Sequence, residues 1–233
     1  MTKGNGLPPW YILLIGAFAV AACSPPKYVP YKSIHGDWTT FVPWGWNVMT
    51  DEEKGTFTST NFIGPFEPEF FLGAPSFSVR WHAYKRAHRL PDGLVEYYET
   101  ADDYIRQMLR GVYGPQYHLV DEGNPAREAP ISAVKVAGRS AKHFAVLSAV
   151  PVPPKTQWGT SIDPDTNRIV NVRLHEYLVV PMEKGFYVLV YPATLKGFKL
   201  YQQQFNALVH GFTTLQDGPQ AVASAAAANA ASR

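Results

Sequence analysis

Two alternating stretches carry the side chains best suited to chemistry. In the first, Arg80, His82, Tyr84 and Arg86 interleave with Val79, Trp81 and Ala83; in the second, Arg173, His175 and Tyr177 interleave with Val172, Leu174 and Leu178. A period of two puts each set on one side of an extended chain, so guanidinium, imidazole and phenol groups share a face. If both strands present that face to the same side, a basic and aromatic surface results. It could hold an anionic ligand, a glycan or an acidic partner through charge-assisted hydrogen bonds and ring stacking. The same residues also suit a solvated face, or a face covered by a helix with its arginines paired to Glu96, Glu99 or Asp103. Glu176 is the one charged residue on the apolar side of the second stretch.

Other chemistry is weaker. His82 and His88 are six residues apart, about 20 Å at strand rise, too far to share a metal ion unless the chain turns between them. His175 could join His82 only on adjacent strands, and no metal site is expected. Asp163-Pro-Asp-Thr-Asn167 spaces oxygen donors like the start of a calcium loop, but Arg168 stands where the turn glycine is needed, so a hairpin turn is expected. Trp158, in the long connection from Pro151 to Asn167, is a candidate partner contact, with folding onto the sheet edge as the alternative. Phe62, Phe66, Phe70 and Phe71, among Pro65, Pro68 and Pro75, suit core or edge cover rather than a pocket.

No nucleophile elbow, zinc-protease helix, phosphate loop or dinucleotide glycine pattern occurs, so neither catalysis nor a cofactor is expected. With 21 basic against 19 acidic residues, no large positive field exists to gather nucleic-acid phosphates. A hydrophobic content of 46 % excludes wholesale disorder.

Cys23 is the only cysteine, which excludes an internal disulfide framework. It follows an apolar run, Trp10–Ala22, preceded by one charge, Lys3. That run reaches only about 20 Å at helical rise, short of the roughly 30 Å hydrocarbon core, so it suits an export signal rather than a permanent span. Val20-Ala21-Ala22-Cys23 resembles the lipobox of bacterial lipoproteins. The resemblance implies cleavage before Cys23, lipidation of that residue and a membrane anchor; Ser24 in the second mature position implies the outer membrane, facing the periplasm. Several acyl chains hold firmly where one holds only marginally.

These residues need a body to position them. A signal peptide over residues 1–22, a lipidated cysteine with a proline-rich tether over 23–32, one globular domain over 33–215 and a low-complexity, alanine-rich tail over 216–233 are expected. Strands are expected around Trp38–Val42, Trp46–Thr50, Phe57–Ile63, Phe77–Tyr84, Ile131–Ala137, Ala141–Val150, Val170–Val180 and Phe186–Tyr191. Thr100-Ala-Asp-Asp103 opens one helix with a capping hydroxyl and a first-turn acid, ending near Gly114-Pro115. A second helix carries Phe198, Tyr201, Phe205, Leu208, Val209 and Phe212 on one stripe. The expectation is an α+β domain: an antiparallel sheet flanked by helices.

Three segments resemble the Mog1/PsbP-like α/β/α sandwich proteins: Phe41-Val-Pro-Trp-Gly-Trp-Asn-Val48; Phe77-Ser-Val-Arg-Trp81 with the Thr100 helix; and Arg173–Val180, Gly185–Tyr191 and the helix ending Leu208-Val-His-Gly-Phe212. The resemblance implies a non-catalytic binding or assembly role, here toward another cell-envelope component. The alternative is an envelope hydrolase or small-ligand binder using the basic and aromatic face.

Overall fold

A computed structural model describes residues 27–90, 93–114, 117–153 and 158–219. The export segment, Cys23 and the alanine-rich run from residue 220 lie outside the described residues. Strands β1 (Tyr28–Lys32), β2 (Trp38–Pro43), β3 (Asn47–Glu53), β4 (Phe57–Ile63), β5 (Ser76–Ala83), β6 (His88–Arg89) and β7 (Val95–Glu96) precede helix α1 (Ala101–Tyr113). Then come β8 (Tyr117–Val120), β9 (Ser132–Val136), β10 (Arg139–Pro151), β11 (Ser161–Ile162), β12 (Ile169–Pro181), β13 (Gly185–Thr194), helix α2 (Phe198–Gly211) and β14 (Thr213–Thr214). The main sheet runs β3-β4-β5-β13-β12-β10-β8, with β11 beside β12 and β9 beside β10; a small sheet runs β1-β2-β14. Every pairing is antiparallel.

Alternation along the strands divides the core in two. Val79, Trp81, Leu174, Leu178, Tyr187 and Leu189 face α2, whose Phe198, Phe205 and Leu208 are fully buried. Burying each such side chain contributes about 1.5–3 kcal/mol. Phe77 ties this side together, stacked on Trp46 at 4.7 Å and edge-on to Tyr191 at 5.1 Å. On the opposite face, Phe144, Val146, Tyr177, Val179, Phe186 and Val188 pack beneath Tyr104, Ile105, Met108 and Leu109 of α1. β13 is buried on both faces, which explains its unbroken apolar sequence.

The local signals account for the helix ends. Thr100 Oγ1 accepts the Asp103 amide at 3.1 Å, and α1 stops at Gly114 with φ 64°. The Asp163–Arg168 segment is a hairpin turn between β11 and β12, closed by the Asp163 amide to the Arg168 carbonyl at 2.9 Å.

Two boundaries differ from expectation. Tyr28–Lys32 is strand rather than tether, its Tyr31 ring packing edge-on to Phe62 at 5.0 Å. Pro30 is tolerated because β1 is an edge strand with an unpaired side. At the other end the fold continues past residue 215: Asp217 accepts the backbone amides of Glu183 and Lys184 at 2.9 and 3.1 Å, clamping the β12–β13 turn.

Candidate functional site

Arg80, His82, Arg173, His175 and Tyr177 do share one face of the main sheet, and α1 covers it. β13 lies between β5 and β12, so His82 and His175 are not on neighbouring strands and cannot pair on a metal there. The chain turns after Ala83, with Lys85 at φ 56°, and both His82 and His88 then pack on Phe57, His88 stacked at 4.0 Å. His88 Nδ1 is held by Glu53 at 2.5 Å. Tyr84, past the end of β5, packs on Phe186 at 5.6 Å.

The basic side chains separate into two cavities. One, about 450 Å³, has Arg80 and His82 in its wall with Glu96, Tyr98 and Tyr104. His82 is stacked on Phe186 at 5.2 Å and is 4 % exposed. Burial first, then the charges of Arg80 and His88, lowers its pKa to about 3, so the ring is neutral. Its Nε2 and Arg80 Nε are buried without hydrogen-bond partners among the described residues.

The second cavity, about 470 Å³, opens where β5 begins, β13 ends and β12 begins. Phe70, Phe71 and Leu72 form an apolar wall, so this aromatic segment does line a pocket as well as covering the core. Opposite stand Asn171, Arg173 and His175. Arg173 is fixed from two sides: Nε donates to Ser148 Oγ at 3.1 Å, and the guanidinium lies 4.8 Å from the Tyr113 ring centroid. Tyr113, the last residue of α1, places its hydroxyl 2.6 Å from both His175 Nδ1 and the Tyr177 hydroxyl. Burial and the charges of Arg173 and Arg80 lower the His175 pKa to about 3, while burial raises those of Tyr113 and Tyr177. The network is therefore uncharged except for the guanidinium. Among the described residues no carboxylate lies within 4.0 Å of Arg173, and Asn171 Oδ1 is buried without a partner.

Trp158 folds against the same connection, edge-on to Phe66 at 5.3 Å, yet stays 45 % exposed. Gly159 makes this approach possible: its amide donates to the Pro68 carbonyl at 3.0 Å, and a Cβ there would lie 2.5 Å from the Phe71 nitrogen. Of the alternatives for this face, the helix cover is present, but ion pairs of Arg80, Arg86 or Arg173 with Glu96, Glu99 or Asp103 are absent among the described residues; Glu96 instead approaches His82 Nδ1 at 4.0 Å.

The arrangement suits binding better than proton transfer. The four residues Arg80, His82, Arg173 and His175 do not share one pocket, and His175 is oriented by a tyrosine rather than a carboxylate. An imidazole with a pKa near 3 is a poor base at neutral pH. What the second cavity offers is an apolar volume within the range of small-ligand sites, with one unneutralised cation and one open amide oxygen. Asn171 belongs to the same polar period as Arg173 and His175 and was findable from it; Tyr113 and the Phe70–Leu72 wall come from distant segments that no spacing rule connects.

No protein-family model matches the chain, and no curated protein sequence matches it. Among solved structures, cyanobacterial PsbP (CyanoP) from Synechocystis sp. PCC 6803 is similar at 11 % identity and a TM-score of 0.44, over 82 % of this chain and 95 % of that one. LpqN of Mycobacterium tuberculosis, described as involved in cell envelope biogenesis, is similar at 12 % identity and a TM-score of 0.37, over 82 % of this chain and 86 % of that one. Both likenesses are too distant to carry a role to this chain.

Proposed function

We propose that the protein is a lipid-anchored envelope protein whose domain binds, without making or breaking bonds, a small ligand with an apolar body and one anionic group. The observation that carries the binding reading is Arg173, unpaired with any carboxylate among the described residues, at the wall of an otherwise largely apolar cavity. A buried or half-buried guanidinium without a counter-charge is costly, and an incoming carboxylate or phosphate supplies two acceptors matched to its fork. The apolar wall would take the remainder of the ligand. Attachment through Cys23 rests on the lipobox-like residues Val20–Cys23, and no helix among the described residues is long and apolar enough to cross a membrane.

The binding half is tested with dodecanoate and dodecanol as probes, titrated into the purified protein by calorimetry. Preference for the carboxylate by tenfold or more, abolished in Arg173→Gln, supports the reading; no binding of either, or an unchanged preference in the variant, overturns it. The anchoring half is tested by intact mass of the protein taken from the membrane fraction. A chain beginning at an acylated Cys23 is expected. A chain beginning at Met1, or a free thiol at Cys23, overturns it.

A further inference from the structure

Glu176 stands on the face of β12 that otherwise carries Leu174, Leu178 and Val180, and it is 5 % exposed. One of its oxygens, Oε1, lies 2.9 Å from His143 Nε2; the other, Oε2, is buried with no hydrogen-bond partner among the described residues. A buried carboxylate oxygen with no donor is costly to keep, so this position asks for a positive partner.

Strand register explains what surrounds it. His143 is paired with Leu178 across β10 and β12, which makes it the diagonal, same-face neighbour of Glu176. The β8–β10 pairing sets Val120 opposite Ala145, and Ser132 of β9 takes the place opposite His143 on the same edge; Glu122 stands two residues past β8, in the turn that the Asp121 amide closes onto the Arg127 carbonyl. Ligand atoms of Glu122, His143 and Glu176 lie within 4.8 Å of one another. All three line a cavity of about 400 Å³ that the last turns of α2 close, with His210 on its wall. His210 Nδ1 is 2.7 Å from the Asn206 carbonyl oxygen, which can only accept, so the neutral ring carries its proton there and keeps the Nε2 lone pair. Lys135 also lines the cavity but is exposed to solvent.

We propose that Glu122, His143 and Glu176 form a binding site for a divalent first-row transition cation. Two carboxylates and a neutral imidazole give a charge of about −2 that a dication balances, and mixed oxygen and nitrogen donors suit Zn²⁺ or Mn²⁺. The ion takes the place of the proton between His143 Nε2 and Glu176, meets the unpartnered oxygen, and leaves coordination positions open to water or to His210. Bound there, it joins the turn after β8 to the interior of β10 and β12 beneath α2. This site is separate from the Arg173 cavity, which lies on the opposite face of the sheet.

The test uses the full chain stripped with a chelator and titrated with Zn²⁺ and with Mn²⁺ by calorimetry. One ion per chain is expected for at least one metal, with affinity reduced tenfold or more in Glu122→Gln and in His143→Gln. His35→Gln, which removes another His–Glu pair, leaves it unchanged. The bound ion raises the melting temperature of the wild type and not that of Glu122→Gln, whose half-exposed side chain makes a folding defect an unsuitable explanation. Absence of stoichiometric uptake of both metals, or uptake unaltered in Glu122→Gln, overturns the proposal.

Discussion

His82 shows how a single residue couples this fold to pH. Its ring is enclosed by Phe186, Tyr98 and Tyr104, with Arg80 and Glu96 nearby and His88 across Phe57. In the unfolded chain it titrates near the ordinary 6.5, in the fold near 3, so between these values unfolding takes up a proton. The contribution of this residue is therefore fully present above pH 6.5 and is lost as the pH drops toward 3, by up to about 1.4 kcal/mol per pH unit. His175 acts in the same direction. Replacing His82 by Phe keeps the stacking and removes the unpartnered Nε2. Urea denaturation should show a gain of about 1 kcal/mol at pH 7 and an acid slope shallower by about one proton. Parallel slopes for variant and wild type would contradict the assignment.

At the scale of elements, the two ends of α1 and the β12–β13 turn set what holds the site in place. Thr100→Ala leaves the Asp103 amide without its acceptor and should cost about 1 kcal/mol in denaturant unfolding. α1 ends on Tyr113, so fraying should also loosen Arg173 and weaken binding of an anionic probe. Gly218→Ala should cost more than the cap: the residue has φ 82°, and a Cβ would lie 2.2 Å from the Trp81 ring. A melting temperature within a degree of wild type would refute that. Strands with clear alternation, β5 and β12 above all, and both helices with their stripes were legible from local spacing because burial on one face writes a period into the chain. β1 was not, since the loop signal of Pro25, Pro26 and its own Pro30 outweighed Tyr28, Val29 and Tyr31; β8, β11 and β14 are too short for a period to show. The candidate site was half legible. Its polar face could be read from β5 and β12, but its division into two cavities depends on β13 intervening and on α1 crossing above. Glu176, the misfit on an apolar face, was the visible trace of the His143 and Glu122 cluster, whose convergence only the β8-β10-β12 order reveals.

For the whole molecule, the early start of the fold matters most. With β1 paired from Tyr28, only Ser24 to Lys27 separate Cys23 from the first strand, a leash of about 18 Å even when pulled straight. An acylated Cys23 would hold the body flush with the headgroups and forbid it to range into the surrounding compartment. The Trp44 amide donates to the Lys27 carbonyl at 3.2 Å, and its indole is 55 % exposed, so the end of the protein nearest the bilayer would present an aromatic ring suited to the lipid–water boundary. Reconstitution of the acylated chain in vesicles should bring the Trp44 indole into a drier setting, seen as loss of part of the blue shift in Trp44→Ala, whereas Cys23→Ala should show no shift. Cargo or counterpart molecules would then have to come to the lipid surface to be met, since the protein could not go out to collect them.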